Sequence, residues 1–175
     1  TVPSRDAGIA VLAAGDAGSS FELLRVGQAG GVAFRRSYSL PLEACATPAA
    51  RVLTNDGPAG TGTGFIVAGE CSSQAKAFVV HLDASGGVLG ARLWTDASSD
   101  AAISPTAITR TGAKAELVLV GDARGAQLGD GMFAARLDDS GELHTAQGYV
   151  ACETSFNLSP TAVIPAESGG ITVIG

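Results

Sequence analysis

The chain has 175 residues, 46% of them apolar and 16% charged, with a formal net charge of −6. That length suffices for one ordinary domain, and the weakly acidic balance excludes phosphate-backbone binding, which needs clustered Lys and Arg. No apolar run approaches the ~20 residues of a membrane-spanning helix, and 24 Gly with 7 Pro fall short of a low-complexity composition.

Thr1 is neither an initiator methionine nor the head of a signal peptide, so a processed or truncated start is expected. Four apolar runs then punctuate the sequence, each closing on glycine: Ile9 to Gly15, Phe65 to Gly69, Leu117 to Gly121 and Ile171 to Gly175. The closing glycines lie 54, 52 and 54 residues apart. A second landmark follows the first three runs and ends on Gly30, Gly86 and Gly141, at spacings of 56 and 55. The third is Ser104-Pro-Thr-Ala-Ile-Thr109 against Ser159-Pro-Thr-Ala-Val-Ile164, with Ala50-Arg-Val-Leu-Thr54 as a looser copy. Three landmarks in one order at one period define an internal repeat. Its approximate units within the single stretch 1–175 are 1–48, 49–103, 104–158 and a partial 159–175.

Each full unit reads as four short strands, lettered A to D. In the second unit they are expected at 49–54, 64–69, 77–82 and 88–94, and in the third at 104–109, 116–121, 132–137 and 142–148. Between C and D, Asp83-Ala-Ser-Gly86 and Asp138-Asp-Ser-Gly141 predict tight hairpins with a glycine at positive φ. No window keeps a 3.6-residue apolar period, so helix is expected to be scarce. A period near 54 with four strands is the signature of a β-propeller blade. The expectation is an all-β propeller segment of about three and a half blades, an incomplete ring.

Gly64-Phe-Ile-Val-Ala-Gly69 and His81-Leu-Asp-Ala-Ser-Gly-Gly-Val-Leu89 resemble the bacterial secreted β-propeller repeats often called SBBP-type. The Ser-Pro-Thr-Ala start is similar to the corresponding strand of quinoprotein-like propeller repeats. The resemblance covers nearly the whole chain. It implies a propeller fold and an extracellular, cell-surface or periplasmic setting, and it brings no catalytic motif. In such blades the D–A connections (38–48, 95–103 and 149–158) share one end with the B–C connections (16–20, 70–76 and 122–130). Binding residues commonly ride on such loops.

Chemistry-bearing residues are few. His81 aligns with Arg25 and Arg136, which predicts a solvent-facing strand position. His144 follows a turn with no nucleophile motif beside it, and two separated histidines make a poor zinc signal. Gly60-Thr-Gly-Thr-Gly64 lies between two strands, without the following helix and lysine of a phosphate loop. The aspartates of the two turns lack the alternating oxygens of a calcium loop, and capping of their own backbone explains them. Asp16, Glu70 and Asp122 each follow a closing glycine. They are expected to form an acidic arc on the loop-bearing end, either as ordinary solvated loop charges or as a rim that attracts cations or a basic partner. Equivalent positions on adjacent blades lie too far apart for paired-carboxylate glycoside hydrolysis. Aromatics are only 5% of the chain, which limits any carbohydrate site to mainly polar contacts.

The three cysteines follow the repeat. Cys45 falls in a D–A connection and Cys71 in the B–C connection of the same blade, so the two are expected to form a disulfide. Cys152 holds the equivalent of Cys45 in the last unit, and its partner is expected just past Gly175. Such bridges imply an oxidising compartment. The functional expectation is a non-enzymatic, secreted or surface-exposed binding scaffold without a cofactor. Its partners would be the missing blades, from the same or another chain, and a protein or carbohydrate ligand. The alternative is part of a propeller lectin or hydrolase whose site lies at the channel mouth.

Overall fold

Runs of four to ten residues rich in Val, Ile, Leu and Phe, bounded by Gly, Ser and Asp, are too short for stable helices and suit paired strands. The computed structural model describes residues 2–3, 8–14, 20–39, 45, 47–55, 64–71, 76–95, 102–111, 116–125, 129–138, 140–150, 159–166 and 170–175. The first repeat forms β1 (Val2–Pro3), β2 (Ile9–Ala14), β3 (Ser20–Val26) and β4 (Val32–Ser39). The second forms β5 (Pro48–Asn55), β6 (Phe65–Cys71), β7 (Lys76–Leu82) and β8 (Val88–Thr95). The third forms β9 (Ala102–Thr111), β10 (Glu116–Gly125), β11 (Gly129–Leu137) and β12 (Leu143–Val150). The partial fourth contributes β13 (Ala162–Pro165) and β14 (Ile171–Ile174). Among the described residues there is no helix.

Each repeat builds its own antiparallel sheet in sequence order, giving sheets 1, 2 and 3 of four strands and sheet 4 of two. The strands of the second repeat match the expected ranges to within two residues. In the third, the β10–β11 ladder continues to Gly125 opposite Gly129, so much of the expected 122–130 connection is strand.

In sheets 2 and 3 strand A carries a bulge where it meets the closing glycine of strand B. In sheet 2, Ala50 pairs with Gly69 and Val52 with Ala68, leaving Arg51 as the extra residue. In sheet 3, Pro105 pairs with Gly121 and Ala107 with Val120, leaving Thr106 extra. The bulge presses backbone onto the glycine: a Cβ on Gly69 would lie 2.2 Å from the Ala49 carbonyl oxygen, and one on Gly121 2.1 Å from that of Ser104. The repeat therefore closes on glycine because no other residue fits there.

Sheet 1 departs from this pattern. Ile9 pairs with Val26 as Phe65 pairs with Leu82 and Leu117 with Leu137. Ala13 thus holds the place of Gly69 and Gly121, and the first unit sits two residues out of register with a match on Gly15. Gly15 itself lies outside the described residues.

Sheets pack face to face in succession. Strands β1, β5, β9 and β13 neighbour one another in that order; β5 also lies against β2 and β3, β9 against β6 and β7, and β13 against β10. Strand alternation sends Phe65, Val67 and Cys71 with Phe78, Val80 and Leu82 towards sheet 1, where they meet Ala10, Phe21, Leu23 and Tyr38. It sends Ile66, Ala68 and Val79 towards Leu117, Leu119, Phe133, Ala135 and Leu137 of sheet 3. Strands β6 and β7 are buried on both faces, hence their nearly unbroken apolar sequence. Each fully buried Leu, Val or Phe contributes roughly 1.5–3 kcal/mol. Phe21 stacks against Tyr38 at 5.0 Å between ring centroids, and Phe34 meets Phe65 edge-on at 6.1 Å.

Candidate functional site

The three C–D turns share one construction. Gly27 N–H donates to the Gly31 carbonyl and Gly30 N–H to the Gly27 carbonyl, at 2.8 and 2.9 Å. The same pair of bonds closes Asp83–Gly87 and Asp138–Glu142. Gly30, Gly86 and Gly141 have φ of 79°, 81° and 79°, the left-handed conformation the sequence predicts. A register shift follows each turn, at Arg25/Val26, His81/Leu82 and Arg136/Leu137.

The turn aspartates cap their own backbone, as expected. Asp83 Oδ1 accepts bonds from the Ser85 N–H and hydroxyl, both at 2.7 Å, and from the Gly87 N–H at 2.8 Å. Asp138 does the same with Ser140 and Glu142. The Ser85 hydroxyl first and the Gly87 N–H second hold the Asp83 carboxyl below the usual aspartate range; Ser140 and Glu142 do so for Asp138. A carboxyl depressed in the native state stabilises it above the unfolded value, and that support is lost as pH falls through the native value. Asp83→Ala is therefore expected to lower the thermal midpoint at pH 7. The gap to the parent should narrow as pH falls below the ordinary aspartate range and through the lowered native value, as read by thermal melts across acid pH.

The second of these turns is also gripped by the sheet before it. Tyr38 of sheet 1 donates its hydroxyl to the Gly86 carbonyl at 2.8 Å, and Arg25 Nη1 donates to the Ala84 carbonyl at 3.0 Å. The Arg25 guanidinium also lies 6.0 Å from the centre of the Phe65 ring. Burial raises the Tyr38 phenol above its ordinary pKa, so the hydroxyl keeps its proton through the neutral range. Tyr38→Phe leaves the Gly86 carbonyl without this donor and is expected to cost about 1 kcal/mol in denaturant unfolding.

His81 corrects one expectation. It is not solvent-facing: only 7% of it is exposed, and it sits between sheets 2 and 3. A Cβ on Gly141 would lie 3.3 Å from His81 Nε2, so the imidazole abuts the next turn where Arg25 reaches it in the sheet before. The shared long polar side chain at this position serves the junction between sheets. His144 is exposed, with Nε2 3.8 Å from Asp138 Oδ2.

The acidic positions are placed differently from an arc of loop charges. Glu70 and Asp122 are strand residues, paired with Ala77 and Met132 across their ladders. Glu70 Oε1 is held by the guanidinium of Arg51, the bulge residue, with Nε at 3.1 Å. Much of its charge is thereby answered within the sheet. Asp122 is half-buried at the same register position of sheet 3, opposite Ser104. Asp16 lies outside the described residues, and the β2 register puts Ala14 at the place of Glu70 and Asp122. In sheet 1 the carboxylate is Glu22 instead, held below its ordinary pKa by Arg35 and then Ser37.

Cys45 and Cys71 form a disulfide with Cα atoms 5.3 Å apart, both nearly fully buried. It ties the D–A connection before β5 to the end of β6. A disulfide fits an oxidising compartment. Cys152 lies outside the described residues, as do positions 60–63 of the glycine-threonine run. Among the described residues no group of three or more His, Cys, Asp or Glu could hold a metal ion.

Sequence reasoning missed Arg51 and Tyr38. The signal for Tyr38 was present: an aromatic stands eight residues after each turn glycine, at Tyr38, Trp94 and Tyr149.

No family model matches the chain, and no curated protein matches it. Among solved structures it is similar to a protein of unknown function from Bacteroides caccae, at 11% identity and a TM-score of 0.47. The match covers 97% of this chain and 54% of that one, so the chain spans about half the length of that structure.

Proposed function

We propose that the chain is a segment of a β-propeller. Sheets 1 to 3 act as complete four-stranded blades and sheet 4 as the inner half of another, and the whole serves as a non-enzymatic, secreted or surface-exposed scaffold. The observation that carries this reading is the succession of strands A: β1, β5, β9 and β13 neighbour one another in that order, each the first strand of its own sheet. The disulfide supports the oxidising compartment that this reading needs.

Further blades are the first partner. On the outer face of sheet 1, Ile9 is 51% exposed, and Val11, Leu24 and Val26 are half-exposed. Their counterparts in sheet 2, namely Phe65, Val67, Val80 and Leu82, are buried against a preceding sheet. An equivalent covering sheet satisfies the same apolar positions here. The second partner is a protein or carbohydrate ligand at the end that carries the D–A and B–C connections, with Asp122 as the acidic contribution among the described residues.

The test uses the native full-length protein. Solution scattering should give a flat ring with a central hole, and an elongated shape overturns the propeller. A panel of ester, glycoside and peptide substrates should show no turnover above buffer. Reproducible turnover would overturn the scaffold in favour of the hydrolase.

A further inference from the structure

The grip on the Gly86 turn is set by register. Arg25 pairs with Phe34, Leu23 with Arg36 and Phe21 with Tyr38, so Arg25, Phe34, Arg36 and Tyr38 share the face turned to sheet 2. There they surround the Gly86 turn: a Cβ on Gly86 would lie 2.6 Å from the Tyr38 hydroxyl, 3.0 Å from Phe34 and 3.2 Å from Arg36. In sheet 2 the same positions are His81, Gly90, Arg92 and Trp94. His81 and Arg92 lie against the Gly141 turn of sheet 3, and Trp94 packs in the core between the two sheets.

In sheet 3 the set is Arg136, Thr145, Gln147 and Tyr149. On this face Val118 and Val120 of β10 are fully buried, and β13 lies against β10. The outer half differs. Thr145, Gln147 and Tyr149 are exposed, Tyr149 by 42% where its counterpart Tyr38 is exposed by 7%. Arg136 holds Glu116 at 3.1 Å, with 42% of its side chain open. Beside this surface β14 pairs with β13 alone among the described strands.

We propose that this surface is a docking site for a β-hairpin of the same repeat. The first strand of the hairpin adds to the free edge of β14. Its turn, a tight turn closing on a positive-φ glycine, seats against Arg136, Gln147 and Tyr149, and the Tyr149 hydroxyl donates to a turn carbonyl as Tyr38 does to Gly86. The occupant is argued from continuity: all four positions surround such a turn at the first junction, and two of them, His81 and Arg92, lie against it at the second. The inference rests on the blade reading above and names the partner of its incomplete blade.

The probe is a synthetic peptide of residues 76–95, which carries the Asp83–Gly87 turn, titrated calorimetrically into the 175-residue chain. Tyr149 is exposed, so Tyr149→Phe and Tyr149→Ser should leave the melting of the unliganded chain unchanged. Saturable one-to-one binding is expected, weakened about fivefold by Tyr149→Phe, which removes one hydrogen bond. Tyr149→Ser should weaken it further. Weakening by Tyr149→Ser alone also supports the site, with the ring rather than the hydroxyl as the grip. Absence of saturable binding up to about 1 mM overturns the proposal, as does binding that neither variant changes. A ring-shaped native protein with a null titration removes the docking site and leaves the blades. An elongated native protein with Tyr149-dependent binding does the reverse.

Discussion

Replacing Gly69 or Gly121 with alanine is expected to destabilise the protein by about 3 kcal/mol each, the upper end of ordinary overpacking. At Gly69 the new methyl would meet the Ala49 carbonyl oxygen at 2.2 Å, Phe78 Cζ at 2.5 Å and Ala50 Cα at 2.8 Å. At Gly121 the same encounter is with Ser104 O, Phe133 Cε1 and Pro105 Cα. Two of the three obstacles at each site are backbone, fixed by the bulge, so rotating the phenylalanine does not relieve them. Phe78→Leu in the Gly69→Ala background should therefore fail to restore stability. For a chain of this length, 3 kcal/mol lowers the thermal midpoint by roughly 6–12 °C. The two sites lie in different sheets and share no partner, so the double variant should lose about 6 kcal/mol, comparable with the whole stability of many domains. Denaturant unfolding of the three variants checks this. A loss below about 1 kcal/mol at both single sites would mean that the bulges yield easily.

Removing the Cys45–Cys71 disulfide is the second large effect. The bridge closes a loop with a sequence separation of 26 residues, and the chain-entropy relation gives about 3.5 kcal/mol for a loop of that size. Both cysteines are buried, so the paired variant Cys45→Ala/Cys71→Ala avoids leaving an unmatched thiol in the core. Its unfolding midpoint should fall by that amount. Reductant should lower the midpoint of the parent towards the variant and leave the variant unmoved. Thiol titration of denatured, unreduced protein should count one thiol per chain, from Cys152.

The strands and turns were legible in the sequence for a local reason. Apolar runs such as Phe65–Ala68, and a glycine after Asp-x-Ser, act within a few residues of themselves. The cysteine pair was legible because a repeat brings equivalent connections to one end. Bulges and ladder lengths were not legible. Arg51 and Thr106 are extra residues whose presence only the register reveals, and the bulge puts Arg51 beside Glu70. Asp122 reads as a loop residue because Ala123 to Gly131 carries a single large apolar side chain, Leu128, among small and polar ones, yet the ladder runs on through Asp122. The match on Gly15 rested on one residue type, whereas the pairing of Ile9 with Val26 places the unit two residues away. His81 misled because a polar residue on a strand suggests water, when its surroundings are supplied by the next repeat.

The bonds that join the first two sheets span 59 residues from Arg25 to Ala84 and 48 from Tyr38 to Gly86, about one repeat in each case. Loop-closure entropy grows with the length of chain that must be drawn together, and folding slows as contacts become more distant in sequence. Here the largest loop that has to close at any sheet junction is set by the repeat and not by the number of repeats. Each junction between sequence-adjacent sheets repeats the same closure step, so these junctions form by zippering from any formed pair of neighbours. The time to order each new sheet should then stay nearly constant along a longer chain, a kinetic economy that a sheet pairing its two ends directly does not have.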